Sequence, residues 1–122
     1  MDRVQRDSSP ATPDRPLVGQ VVTVFRNRLR PDHLAAYADE LAVVVGLATA
    51  MPGFVETKTF VAEDGERCTV VTFADRESHD AWRDHARHRE AQRHGVESYY
   101  AEYSIAVGET SYASAFVHRP ES

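Results

Sequence analysis

From Leu17 the chain reads LVGQVVTVFRNRL, a run rich in β-branched residues and long enough for an extended strand. Alternation puts Val21, Thr23, Phe25, Asn27 and Leu29 on one face and Val22, Val24, Arg26 and Arg28 on the other, which predicts an extended first strand. Asn27 is then a polar residue near the end of an otherwise apolar row. Pro31 suits the first turn of a helix, where its missing N–H is no loss, and Asp32 places favourable charge at that end. Leu34, Tyr37, Ala38, Leu41, Val44, Val45 and Ala48 recur at three- and four-residue steps, as on one face of a helix that ends at Met51-Pro52-Gly53.

The segment from Gly53 to Asp75 predicts two strands, Phe54–Ala62 and Arg67–Ala74, joined at Asp64-Gly65, a dipeptide suited to a tight hairpin. Asp75 occupies an N-cap position, and a second helix is expected to run to about His94 before Gly95 stops it. The run YYAEYSIAV alternates as a fourth strand, with Tyr99, Ala101, Tyr103, Ile105 and Val107 opposite Tyr100, Glu102, Ser104 and Ala106. The order β-α-β-β-α-β predicts an α+β, ferredoxin-like fold: a four-stranded antiparallel sheet with two helices on one face. Its other face still carries Val22, Val24 and further β-branched residues, so a partner chain is expected to cover it. Residues 110–118 read as one more extended segment contacting that partner.

The second helix breaks the usual pattern. At ~100° per residue, Ser78, Ala81, Trp82, His85, His88, Arg89 and Gln92 share one stripe, wide enough to face a core yet mostly polar. Burying imidazoles and an amide without partners costs roughly 1–3 kcal/mol each, so the stripe is a candidate ligand surface as well as a candidate solvated face.

Composition narrows the classes. The 122 residues suit one domain, with residues 1–16 as a proline-rich, charged, flexible tail and residues 17–118 as the folded unit. A formal net charge of −5 argues against a nucleic-acid binder, and no apolar run is long enough to suggest a membrane span, so a cytoplasmic protein is expected. The single cysteine, Cys68, cannot form an intrachain disulfide.

The VFRNRL strand, the MPGF turn, the TVVTFAD strand, and AWRDHARHREAQRHG leading into YYAEY together resemble the antibiotic biosynthesis monooxygenase superfamily, over roughly Val18 to Val117. The resemblance implies a homodimer, a dimeric α+β barrel with a cleft between sheet and helices in each subunit. One branch oxidises aromatic polyketides with O₂ and no cofactor. Haem-degrading members use an Asn on the first strand, a Trp on the second helix and a His ten residues later as iron ligand. Asn27 and Trp82 match the first two of these, but the third position is Gln92, which is no ordinary haem ligand.

A cofactor-independent oxygenase needs a proton acceptor, donors for an oxyanion and an apolar space that admits O₂. Imidazoles ordinarily titrate near neutrality, which makes His85 and His88 candidate bases; Asn27 and the Trp82 indole are candidate donors. These four are the expected catalytic residues. Phe25, Tyr37, Phe73, Arg89, Gln92 and Tyr103, together with Leu41, are the expected substrate contacts, Arg89 as a partner for an acidic group. His85 and His88 have the spacing of two metal ligands on one helix face, but no third ligand is indicated and no metal or cofactor is expected. The leading expectation is a monooxygenase acting on a polycyclic aromatic or phenolic metabolite. Haem degradation and a non-catalytic ligand-binding or assembly module on the same fold are the alternatives.

Overall fold

In the computed structural model, residues 16–120 are described. The expected N-terminal tail lies outside them except for its last position. Strand β1 (Val21–Leu29) leads through a short 3₁₀ turn (Pro31–His33) into helix α1 (Leu34–Thr49). Strands β2 (Phe54–Val61) and β3 (Arg67–Phe73) follow, then helices α2 (Arg76–Arg83) and α3 (Ala86–His94), a wide π-type turn (Gly95–Tyr99) and strand β4 (Tyr100–Glu109). The strands form one antiparallel sheet in the order β2-β3-β1-β4. This is the ferredoxin-like arrangement expected from the pattern.

Local chemistry explains the joints. Gly53 and Gly65 take positive φ values of 82° and 92°, which side-chain-bearing residues avoid. A Cβ on Gly53 would also collide with the Ser78 hydroxyl, so the β2 entry packs directly on α2. The Asp75 carboxylate accepts from the Ser78 N–H at 2.8 Å and caps α2 as the sequence suggests.

The single helix expected between Asp75 and His94 is in fact two. Asp84 ends α2, and His85 adopts an extended conformation (φ −62°, ψ 130°) in which its Nδ1 accepts from the Arg87 N–H at 3.1 Å. A residue able to cap a new helix competes here with continuation of the old one. Helix α3 ends at His94 with Gly95 as its C-cap, as expected, but Gly95 makes no left-handed stop. It stays in the right-handed region (φ −60°, ψ −46°), and its missing Cβ makes room for the Tyr100 ring.

The core lies between the sheet and the helices, where Ala48, Phe73 and Trp82 are buried against Val44, Met51, Phe54 and Val71. The outer sheet face carries Val22 and Val24 beside Ala106, flanked by Arg26 paired with Glu66 and Arg28 paired with Asp64. Phe60, which shares that face by register, is 52% exposed. Residues 110–118 form no strand within the chain, and Tyr112, Phe116 and Val117 are exposed. Among the described residues no helix is long and apolar enough to cross a membrane.

Candidate active site

A cavity of about 350 Å³ opens between the sheet and the helices. The sheet supplies Phe25, Thr57, Thr69, Val71, Tyr103 and Ile105; α1 supplies Tyr37, Glu40, Leu41, Val44, Val45 and Ala48. Trp82 comes from α2, while His88, Ala91 and Gln92 come from α3, and Tyr99 and Tyr100 close one side. The volume falls in the lower part of the ~300–1,000 Å³ range of small-molecule sites, and the lining is mostly apolar with a few polar groups, as such sites usually are.

Tyr99, Tyr100 and Tyr103 all line this cavity, contrary to what simple alternation predicts. Tyr99 belongs to the π-type turn, not to the strand, and the β1–β4 register slips between Arg28 and Leu29, so that Leu29 pairs with Tyr100. A slip of one residue reverses the facing of the side chain that precedes it. Tyr100 and Tyr103 therefore both meet Phe25, at ring-centroid distances of 5.4 and 5.7 Å, and Tyr37 lies against Tyr99 and Tyr100 at 5.5 and 6.0 Å. Burial, with smaller contributions from Tyr37, pushes the Tyr100 hydroxyl well above the ordinary tyrosine range, so it stays protonated and remains a donor.

Trp82 both packs and lines. Its side chain is buried in the core and its indole stacks on the His88 ring at 4.5 Å with an interplanar angle of 12°. The His88 Nδ1 lies 3.1 Å from the Trp82 carbonyl oxygen. A carbonyl only accepts, so Nδ1 carries the proton and, in the neutral ring, Nε2 is left with its lone pair. Burial lowers the His88 pKa below its ordinary value, and this outweighs the opposing effect of the Trp82 carbonyl. The geometry thus holds a neutral imidazole, of fixed tautomer, in the wall of an apolar cavity.

Other expected residues fall elsewhere. His85 lies beside Trp82 at 5.4 Å with the rings tilted by 44°, but spends its Nδ1 on the α3 cap and is not part of the lining. Arg89 is exposed and points to no cavity wall, because the break at Asp84-His85 shifts it off the stripe. Phe73 is 1% exposed in the core rather than in the cavity. Asn27 is buried on the helix-facing side of β1, one rung beyond Phe25, with neither amide atom hydrogen-bonded. It stands behind the lining, not in it.

Glu40 was not anticipated. Only 9% of its side chain is exposed, and its carboxylate accepts from Arg87 Nη1 at 2.6 Å, the Tyr99 hydroxyl at 2.7 Å and His94 Nδ1 at 2.9 Å. The signal was available in the spacing, since Glu40 sits three residues after Tyr37 and four before Val44 on the buried side of α1. Among the described residues no cluster of three or more His, Cys, Asp or Glu side chains is placed to hold a metal ion.

Comparisons with known proteins fit this architecture. The chain is 25% identical over 84 residues to the Bacillus subtilis (strain 168) protein YqjZ, covering 69% of this chain and 74% of that one. It superposes on the structure of Rv0793 from Mycobacterium tuberculosis with a TM-score of 0.69 at 17% identity, covering 80% of this chain and 100% of the other. A conserved protein from Methanosarcina mazei Go1 gives 0.68 at 11% identity, with 77% and 95% covered. At those identities the two structures speak for the fold alone. The family model described as antibiotic biosynthesis monooxygenase matches residues 20–94, more than half of the chain, and the chain belongs to that family.

Proposed function

We propose that the cavity is the active site of a cofactor-independent monooxygenase that oxidises a polycyclic aromatic or phenolic metabolite with O₂. The observation that supports this most is His88: a half-buried imidazole, held neutral at ordinary pH, whose Nε2 is the free acceptor beside an apolar space. Nε2 takes a proton from a phenol or from an activated ring CH₂. The resulting anion passes an electron to O₂, the substrate radical and superoxide combine to a hydroperoxide, and loss of water leaves a carbonyl. A CH₂ group and O₂ thus give C=O and H₂O. The tyrosine hydroxyls donate to the developing oxyanion, and the apolar walls admit O₂.

The test is O₂ uptake by purified protein with a panel of anthrones and hydroquinones. One O₂ consumed per CH₂ converted to a carbonyl on an anthrone, and quinone with H₂O₂ from a hydroquinone, are the expected results, and no uptake above the uncatalysed rate with any of them removes the reading. Gln92 occupies the cavity wall where a haem-degrading enzyme of this family would need an imidazole, which disfavours haem.

The active form is a cytoplasmic homodimer in this reading. Val22, Val24 and Ala106 on the outer sheet face, with Phe60 half exposed, give each subunit an apolar surface that a second copy would cover. The exposed Tyr112 and Phe116 of the C-terminal segment can reach across to that copy. Light scattering is expected to give twice the 13.7 kDa chain mass, and Val24→Glu to give the monomer mass. A monomeric wild type refutes this assembly without touching the chemistry.

A further inference from the structure

One rung beyond the Phe25–Thr69 pair, and behind the residues that line the cavity, β1 and β3 place Asn27 directly opposite Arg67. Both side chains leave the sheet on the helix-facing side, and Tyr103 is the neighbour of Asn27 on β4. Side chains directly opposite in an antiparallel pair lie within ~4.5–5.5 Å of one another at Cβ. The two residues share an uncommon property. Neither amide atom of Asn27 has a hydrogen-bond partner, nor has the buried Nε of Arg67. Leaving one such group unbonded costs roughly 1–3 kcal/mol. Here the three unbonded atoms belong to two residues that face each other across β1 and β3.

The other arginines around the sheet are committed: Arg26 to Glu66, Arg28 to Asp64, and Arg87 to Glu40. Arg67 instead lies over the Tyr37 ring, 5.6 Å from its centroid, and Tyr37 lines the cavity. Stacking holds the planar guanidinium while leaving its edge, which bears the N–H groups, to a ligand. A guanidinium edge and a carboxamide N–H together match an oxygen carrying negative charge.

We propose that Arg67 and Asn27 form the anion-recognising end of this cavity, taking the charged oxygen of an aromatic acid or phenolate whose rings lie along Phe25, Tyr100 and Trp82. The proposal rests on the reading of the cavity as a site for an aromatic molecule, and it assigns to Arg67 the acid-binding role that the sequence suggests for Arg89. Asn27 itself is 1% exposed, so in this proposal a ligand meets its amide when the side chains in front of it move aside. Tyr103, its neighbour on β4, is 50% exposed.

The experiment is fluorescence titration of the single tryptophan, Trp82, with naphthalene carboxylate and with its neutral carboxamide. Wild type is expected to bind the carboxylate about tenfold more tightly, the worth of one charge-assisted contact of ~1.4 kcal/mol. Arg67→Gln is expected to abolish that preference while leaving carboxamide affinity within about threefold, and Arg67→Lys to restore part of it. Equal affinity of wild type for the two ligands, binding of neither, or an undiminished preference in Arg67→Gln overturns the proposal. Because the titration reads no turnover, absent O₂ uptake with an intact carboxylate preference counts against the monooxygenase reading and leaves the anion site standing.

Discussion

Replacing His88 with glutamine is expected to lower kcat by about 10²–10⁴-fold, the usual contribution of a general base. Glutamine keeps a polar side chain of comparable reach and can still donate to the Trp82 carbonyl, but it cannot accept a proton. KM should change little, because Trp82, Phe25 and the tyrosines still line the cavity. The pH profile gives an independent check. Burial holds the His88 pKa below its ordinary 6.5, so wild-type kcat/KM is expected to be flat through neutrality and to fall only at more acidic pH, as Nε2 becomes protonated. His88→Gln should lack that acid limb, and added imidazole should restore part of the rate. If the variant keeps both its rate and its acid limb, the base is another group.

The framework that holds this imidazole is legible in the sequence. Val21, Phe25 and Asn27 alternate onto the helix-facing side of β1, and Tyr37, Leu41, Val44 and Ala48 recur at helical steps, because one buried face imposes one period on each element. What escaped the pattern were departures from period. A single unbroken stripe put His85, Arg89 and Gln92 in register with Trp82, yet His85 turns its ring into a cap and restarts the helix, which separates Arg89 from the cavity while Gln92 stays in its wall. The capping bond depends on one side-chain torsion, which residue spacing does not encode.

The tyrosines make the same point from the other direction. Strict alternation separates Tyr100 from Tyr99 and Tyr103, whereas the register slip at Leu29 and the π-type turn bring all three to one cavity. Gly95 is the residue that permits this, through the space it leaves for the Tyr100 ring rather than through any left-handed turn. A polar residue on an apolar stripe marks a buried polar side chain in two places here, Asn27 on β1 and Glu40 on α1.

Removing the Glu40 carboxylate is expected to produce the largest stability loss of any single polar substitution around the cavity. Glu40→Ala leaves Arg87, His94 and the Tyr99 hydroxyl without their common acceptor and unties α1 from α3 and the following turn. Breaking a fully buried ion pair costs ~3–5 kcal/mol; about 2–3 kcal/mol is expected here, because Arg87 and His94 retain 30% and 36% exposure and can turn to water. The pH dependence follows from the same contacts. Burial by itself would raise the Glu40 pKa, but the hydrogen bonds from Arg87, Tyr99 and His94 outweigh it and bring it from 4.5 down to about 2. A depressed folded-state pKa means that the ionised carboxylate favours the fold, so its contribution is complete above pH 4.5 and is lost as pH falls from there toward 2. Urea unfolding of wild type across that window should show the decline, and Glu40→Gln, which cannot ionise, should show a shallower one from a lower starting stability. Parallel curves for the two proteins would mean that the carboxylate is not held by its three donors in solution. Since Tyr99 reaches the cavity through the same contact, Glu40→Gln should also loosen that wall, and reduced affinity of naphthalene carboxamide at neutral pH would register it independently of any effect at Arg67.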